Sequence, residues 1–352
     1  MEHAARHLDY SHLIRLTDSV GVFEHAEGAI VRREHGYCTD DNARALIAAT
    51  RAGSPLGSLV DTYLGFLRHA QQPDGRFTSR MGFDRRWMHE DRHAGGDDAC
   101  GRALWSLGVA ARAAPSHHQR QAARLLFERG AGLRSRYRRA TSFAVLGACE
   151  LLAFVPDHDQ ARRLLDASLP VVCSGSSHSG WLWPEERLTY ANAVVPHAML
   201  TAGAALGDRS LMGHGFELLE WLVSMSTHPA GHLSVTAAVG WSPDDRPAFD
   251  QQPIEVASLA EAAACAYELS DADHWLAVVE RAVEWFHGRN DGNVVMFDPL
   301  SGGGYDGLTA HGPNINQGAE STLAWLSTMQ IAHTLTSRLF TSATSSTMAA
   351  AT

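Results

Sequence analysis

Paired acids recur just ahead of, or inside, helix-like stretches of this chain: Asp40 with Asp41, Asp97 with Asp98, Glu185 with Glu186, and Asp250 with Glu255. A single acid at a helix start is ordinarily a cap, accepting backbone N–H bonds and complementing the helix dipole. Doubled acids on several helices exceed that need, because like charges crowded together raise one another's pKa and cost stability. Such a set suits chemistry that needs one protonated carboxyl and one ionised carboxylate, as cleavage of a glycosidic bond does.

The residues around the acids fit a sugar. Trp87, Trp181, Trp183 and Trp241 fall in loop-like segments beside Tyr37, Phe83, Tyr190 and Tyr305, and a flat ring covers the C–H face of a sugar. Asp40, Asn42, Arg102, Asn192, Gln252, Glu255, Asn316 and Glu320 could hydrogen-bond its hydroxyls. Packing is the competing account for any one loop Trp, and Trp105, Trp221, Trp275, Trp285 and Trp325 lie within helical patterns that read as packing. HEDRHAGG at 89–96 matches the zinc-protease pattern H-E-x-x-H, but its third ligand would fall on Ala99 and its setting is Gly-broken, so no metal site is expected. SGGGYDG at 301–307 lacks the strand and helix of a phosphate loop, and no cofactor is expected.

The elements that must carry these residues come in two kinds. Six stretches rich in Ala and Gly begin near residues 39, 97, 139, 189, 253 and 316 and are nearly apolar all round, as helices buried on most sides are. Between them lie LGSLVDTYLGFLRHAQ, HHQRQAARLLFERGAG, DQARRLLDASLPVVC, DRSLMGHGFELLEWLVSM and DADHWLAVVERAVEWFHG, each apolar on one face and charged on the other. A repeat of this kind predicts an all-α fold in which six inner helices are ringed by six outer ones, an (α/α)6 barrel. The sixth outer helix would come from residues 10–18 or from the C-terminus. Residues 1–336 would form a single domain and 337–352 a frayed polar tail. With the inner helices parallel, all six N-termini and the acid-bearing loops before them converge on one cavity mouth.

Composition removes several classes. The chain has 352 residues, 45% of them hydrophobic, with a net charge of −10 and no basic stripe, which argues against nucleic acid and anionic membranes. All 29 basic residues are Arg, which excludes Schiff-base and Walker-lysine chemistry. Cys38, Cys100, Cys149, Cys173 and Cys265 are dispersed without metal spacing and read as reduced thiols of a cytoplasmic protein. The first residues lack the basic and apolar regions of a signal peptide, and no run of 18 apolar residues suggests a membrane span.

At GYCTDDNARAL, DDACGRALW, WLWPEERLTYANAVVP and NINQGAESTLAWL the chain resembles the six-hairpin, (α/α)6-barrel glycosidase superfamily, over residues 10–335. More narrowly it is similar to a little-characterised bacterial group of such barrels labelled glycosyltransferase-related or carbohydrate-processing. The resemblance implies catalytic acids projecting from the rim, with Asp41 and Asp98 leading and Glu186 and Asp250 next, and an inverting glycoside hydrolase acting on an oligosaccharide. It also implies substrate contacts from Arg102, Asn192, Gln252 and Glu320. Where a W-F-E-D-like segment is expected the chain reads Trp183-Pro184-Glu185-Glu186. Two alternatives stay open: a sugar epimerase or isomerase using a histidine pair drawn from His35, His178, His232 and His311, and a noncatalytic sugar-binding barrel whose acids are tied up in caps or Arg pairs.

Overall fold

The computed structural model describes residues 8–88, 94–175 and 180–349. His178 and the H-E-x-x-H match at 89–93 lie outside the described residues. Twelve α-helices are present among them: α1 (Ser11–Leu16), α2 (Thr39–Ala52), α3 (Gly57–Ala70), α4 (Ala94–Ala113), α5 (His117–Gly130), α6 (Arg138–Leu152), α7 (Asp159–Val172), α8 (Val194–Leu206), α9 (Arg209–Met225), α10 (Pro253–Ser270), α11 (His274–Phe286) and α12 (Ala319–Ala349).

The even-numbered helices each touch the next, and α12 closes back onto α2, while the odd-numbered helices pack outside them. This is the expected (α/α)6 barrel, and α1, which packs on α12, supplies the sixth outer helix. The two kinds of sequence explain the two layers. In α6 every residue except Glu150 is buried, whereas α9 buries only Leu211, Gly215, Leu218, Leu219 and Leu222, one stripe at helical spacing. The last helix continues through the segment that the sequence reads as a polar tail. No described helix is long and apolar enough to cross a membrane.

Small residues set the tightest seam of the inner ring. A Cβ on Gly101 would overlap the carbonyl oxygen of Ala140, and one on Gly147 would overlap that of Leu104 and lie 2.9 Å from the Trp105 Cα. Backbone therefore meets backbone between α4 and α6, which only glycine permits. Gly147→Ala is expected to cost about 2–3 kcal/mol by overpacking, read as a lower denaturation midpoint with an unchanged m-value. A midpoint within error of the parent would refute the seam.

Side-chain caps are found on some outer helices, although α1, α3 and α11 have none. Outer helices α5, α7 and α9 are capped by the side chains of Ser116, His158 and Asp208. Inner helices α2, α6, α8 and α10 have no side-chain cap hydrogen bond. The acids that open α2 and α10 are therefore not consumed in capping.

Candidate active site

The inner ring lines an open cavity of about 580 Å³, counting the space continuous with solvent, and its wall takes side chains from all six inner helices. Helical spacing carries each rim residue down into it. On α4, Asp98, one turn before the lining residues, is followed at i+4 and i+7 by Arg102 and Trp105. On α2, Asp40 is followed by Arg44 and then Ile47 and Ala48, and on α12 Glu320 is followed by Leu323, Ala324 and Ser327. Trp105 stacks on Phe143 of α6 at 5.9 Å, and the Arg102 guanidinium lies 3.9 Å over the same Phe143 ring. His197 of α8 meets Trp105 edge to face, with Ser258 and Glu261 of α10 completing the wall.

The mouth concentrates charge. Arg44 bridges Asp41 at 2.6 Å and Glu320 at 2.7 Å, and Arg102 Nε lies 3.5 Å from Asp40 Oδ2. Tyr190 donates its hydroxyl to Asp98 Oδ2, while Asp98 Oδ1 is buried with no hydrogen-bond partner. A buried acceptor without a partner is costly and marks a place where a ligand or water completes the bonding. Burial pushes the Asp40 carboxyl up to about 6 against the pull of Arg102 and Arg44. It pushes Asp41 up to about 7, with Arg44 opposing and Glu320 reinforcing. Burial holds the His197 imidazole down to about 4.

Deeper in the wall, Glu261 is locked by Arg51 at 2.6 and 2.8 Å and by the Ser327 hydroxyl at 2.7 Å. It is ionised and already satisfied.

The adjacent acids do not act as pairs. Successive residues of a helix point about 100° apart, so Asp98 turns to the mouth while Asp97 turns outward to Arg76 and the Ser135 hydroxyl. Asp40 and Asp41 divide in the same way, toward Arg102 and toward Arg44. Like-charge crowding arises across helices, where Asp98 and Glu320 both raise Asp40.

Other expected site residues are placed elsewhere. Glu186 and Asp250 are exposed, and neither lines the cavity. Tyr37 is buried, stacked on Phe23 and bonded to Asp18, and Asn42 is bonded to the backbone of Val22 and Cys38, so both hold the N-terminal loop. Trp87 packs on Phe66 and His69. Trp181, Trp183 and Trp241 are buried, their indole N–H groups bonded to Glu185 O, Glu185 Oε2 and Pro247 O. Asn316 accepts from the Gly28 N–H, and Gln252 stands half-buried at the start of α10. Of the candidate histidines, His232 pairs with Asp291 at 2.7 Å, His35 packs on His25 and His311 is exposed.

Asn192 lies in the turn before α8 and not in its first helical turn. Glu255, Asn192 and Arg139 form a buried chain there. Glu255 accepts from the Ala191 N–H, from the Asn192 N–H at 3.4 Å and from Asn192 Nδ2 at 2.8 Å. Arg139 donates to Asn192 Oδ1 at 2.9 Å, to Tyr190 O at 2.6 Å and to Glu185 at 3.0 Å. The chain fixes the turn that aims Tyr190 at Asp98. Burial raises Glu255 to about 7 despite these donors. Its stabilisation is complete below about pH 4.5, where folded and unfolded chains both hold the proton, and is lost as pH rises through 7. A shift from 4.5 to about 7 corresponds to as much as roughly 3 kcal/mol. Glu255→Gln is therefore expected to flatten the fall in thermal stability between pH 5 and pH 8; a slope equal to the parent's would rule this out.

No protein-family model matches the sequence, and no curated protein does. Solved structures do. A sugar epimerase from a ruminal bacterium superimposes with a TM-score of 0.71 at 14% identity, covering 94% of this chain and 98% of the other. The cellobiose 2-epimerase of Bacillus thermoamylovorans B4167 gives 0.69 at 13%, covering 91% and 95%. A GH76 α-mannanase from Bacteroides thetaiotaomicron gives 0.60 at 12%, covering 86% and 87%. At these identities the likeness is one of fold, and it spans nearly the whole of each chain.

Arg44, Phe143, His197, Ser258, Glu261 and Ser327 have no sequence signal of their own as site residues, and Trp105, which reads from sequence as packing, lines the cavity. The signal that reaches most of them is the i, i+3, i+4, i+7 register counted from the rim acids.

Proposed function

We propose that the protein is a carbohydrate-active enzyme that hydrolyses a glycosidic bond with inversion, using Asp40 and Asp98 as its working carboxylates. The observation that carries the reading is the buried, unpartnered Oδ1 of Asp98, one helical turn from the cavity-lining Arg102 that Asp40 meets. Asp40, raised to about 6, retains a protonated fraction near neutrality and donates to the leaving oxygen. Asp98 accepts a proton from the attacking water on Oδ1. Asp41, tied to Arg44, positions that guanidinium, and Trp105 with Phe143 offers the flat surface for a sugar ring.

A second reading, epimerisation of a free sugar, is favoured by the position of His197 in the cavity wall, where its imidazole is neutral at pH 7 although burial weakens it as a base. Among the described residues it is the one histidine lining the cavity, so a facing histidine pair is not formed there.

Proton NMR on a panel of oligosaccharides and free sugars in D2O separates the two. Hydrolysis gives new reducing ends of inverted anomeric configuration. Epimerisation gives a new sugar carrying deuterium at the carbon that lost its proton, with no bond cleaved. Cleavage with retention would defeat the inverting mechanism, and deuterium exchange without cleavage would defeat the hydrolase reading.

A further inference from the structure

We propose that a pocket beside the mouth, where α6 begins, binds an anionic group carried by the sugar substrate, a carboxylate or a phosphate ester. The proposal rests on the carbohydrate reading above and names the class of sugar. The pocket is an open depression of about 690 Å³, counting the space continuous with solvent, lined by Arg136, Arg138, Arg139, Ser174, Glu185 and Tyr190, among others. Three guanidinium groups thus face one carboxylate, an excess of two positive charges in a chain whose net charge is −10.

Arg138 is the unusual member. Its side chain is 7% exposed and donates through Nη2 to Ser174 O at 2.6 Å and to Ser174 Oγ at 3.1 Å. Nε and Nη1 are buried without a hydrogen-bond partner, although Nη1 lies 3.2 Å from Glu185 Oε1 as an ion pair. A guanidinium taken out of water with donors unused is expensive unless a ligand supplies acceptors. Arg139 is already committed to Tyr190 O, Glu185 and Asn192, so it contributes charge and not donors. Arg136 is exposed at the pocket edge, its guanidinium 5.1 Å over the Tyr137 ring. Helix α6 starts in the same pocket without a side-chain cap, adding the partial positive charge of its first N–H groups.

Tyr190 is the link to the reaction. It lines this pocket and also donates to Asp98, so the pocket and the mouth share one wall. An anion held here would lie alongside the carboxylate that takes the proton from water.

The test titrates the full chain with glucose, galacturonate, glucose 6-phosphate and inorganic phosphate, following affinity by calorimetry at two salt concentrations. At least one charged sugar is expected to bind about ten-fold more tightly than glucose, and less so at high salt. Preference for galacturonate identifies a carboxylate site, and preference for glucose 6-phosphate a phosphate site. Arg138→Gln should remove most of that preference, about ten-fold. Arg136→Gln, an exposed change that leaves the fold undisturbed, should remove a few-fold. Equal binding of charged and neutral sugars, an unchanged preference in Arg136→Gln, or inorganic phosphate binding as tightly as its sugar ester would overturn the proposal. Cleavage of neutral oligosaccharides without any charged preference leaves the hydrolase standing and removes this subsite. Arginine-dependent binding of charged sugars with no cleavage of any oligosaccharide does the reverse.

Discussion

Replacing Asp98 by Asn is expected to lower kcat on a cleavable oligosaccharide by about 10³, the usual worth of a positioned acid or base, while leaving the Kd for substrate within a few-fold. Asn keeps the volume of a side chain that is 5% exposed and keeps an oxygen to accept the Tyr190 hydroxyl. What it removes is an oxygen able to hold a proton at the Oδ1 position. Asp40→Asn should produce a similar loss, because an amide cannot donate to a leaving oxygen as a carboxylic acid does. Asp41→Asn should act differently, weakening the hold on Arg44 and lowering activity less. Steady-state rates set beside calorimetric affinities check all three. An Asp98→Asn enzyme within ten-fold of the parent rate would remove this residue from the chemistry.

The largest loss of stability is expected from Arg139→Met. The Arg139 side chain is 8% exposed and ties Glu185, Tyr190 O and Asn192 together. Removing one partner of a buried ionic network typically costs about 3–5 kcal/mol, because the remaining groups are stranded without water. Arg139→Lys should recover little, since one ammonium cannot span acceptors arranged for a planar fork. Thermal and denaturant unfolding measure the cost, and a loss below about 1 kcal/mol, the size of an ordinary surface change, would show that the network is not structural. Because Arg139 also holds the Tyr190 backbone, the same variant should lose activity at temperatures where it remains folded.

The barrel was legible because layer identity is written in composition. Ala and Gly on every side mark a helix with no solvent face, and a charged stripe marks one that has such a face. The stretch at 253–270 and the stretch at 209–225 differ in that way alone. The start of α8 was less legible. TYAN at 189–192 has helix-compatible residues, but Ala191 takes a positive φ of 45°, held by Glu255 sixty-four residues downstream. A contact of that sequence separation leaves no local trace.

The site was legible as a rim and not as a set of side chains. The doubled acids were read as like-charge pairs, yet on a helix neighbours diverge, so Asp97 and Asp98 serve different walls. The loop tryptophans have the composition of a sugar platform, but Trp181, Trp183 and Trp241 each find a carbonyl or carboxylate for the N–H and are drawn into the packing, while Trp87 packs on Phe66 and His69. Trp105 lies in a helical pattern and lines the cavity for the same reason Arg102 does: both follow Asp98 down one face.

The seam of Gly101, Gly108 and Gly147 divides the barrel into two halves with different freedom to vary. Arg102, Trp105 and Phe143 ride on α4 and α6, whose backbones touch where any added atom would collide. That sector is stiff, and its inward-facing side chains change only if the helix spacing is preserved. The opposite sector, carrying Val194 and His197, Ile254 and Glu261, and Leu323 and Ser327, lies on α8, α10 and α12, between which no described glycine brings backbone against backbone. A descendant adapting to a new ligand would keep the glycine seam as a fixed jaw and rework the other.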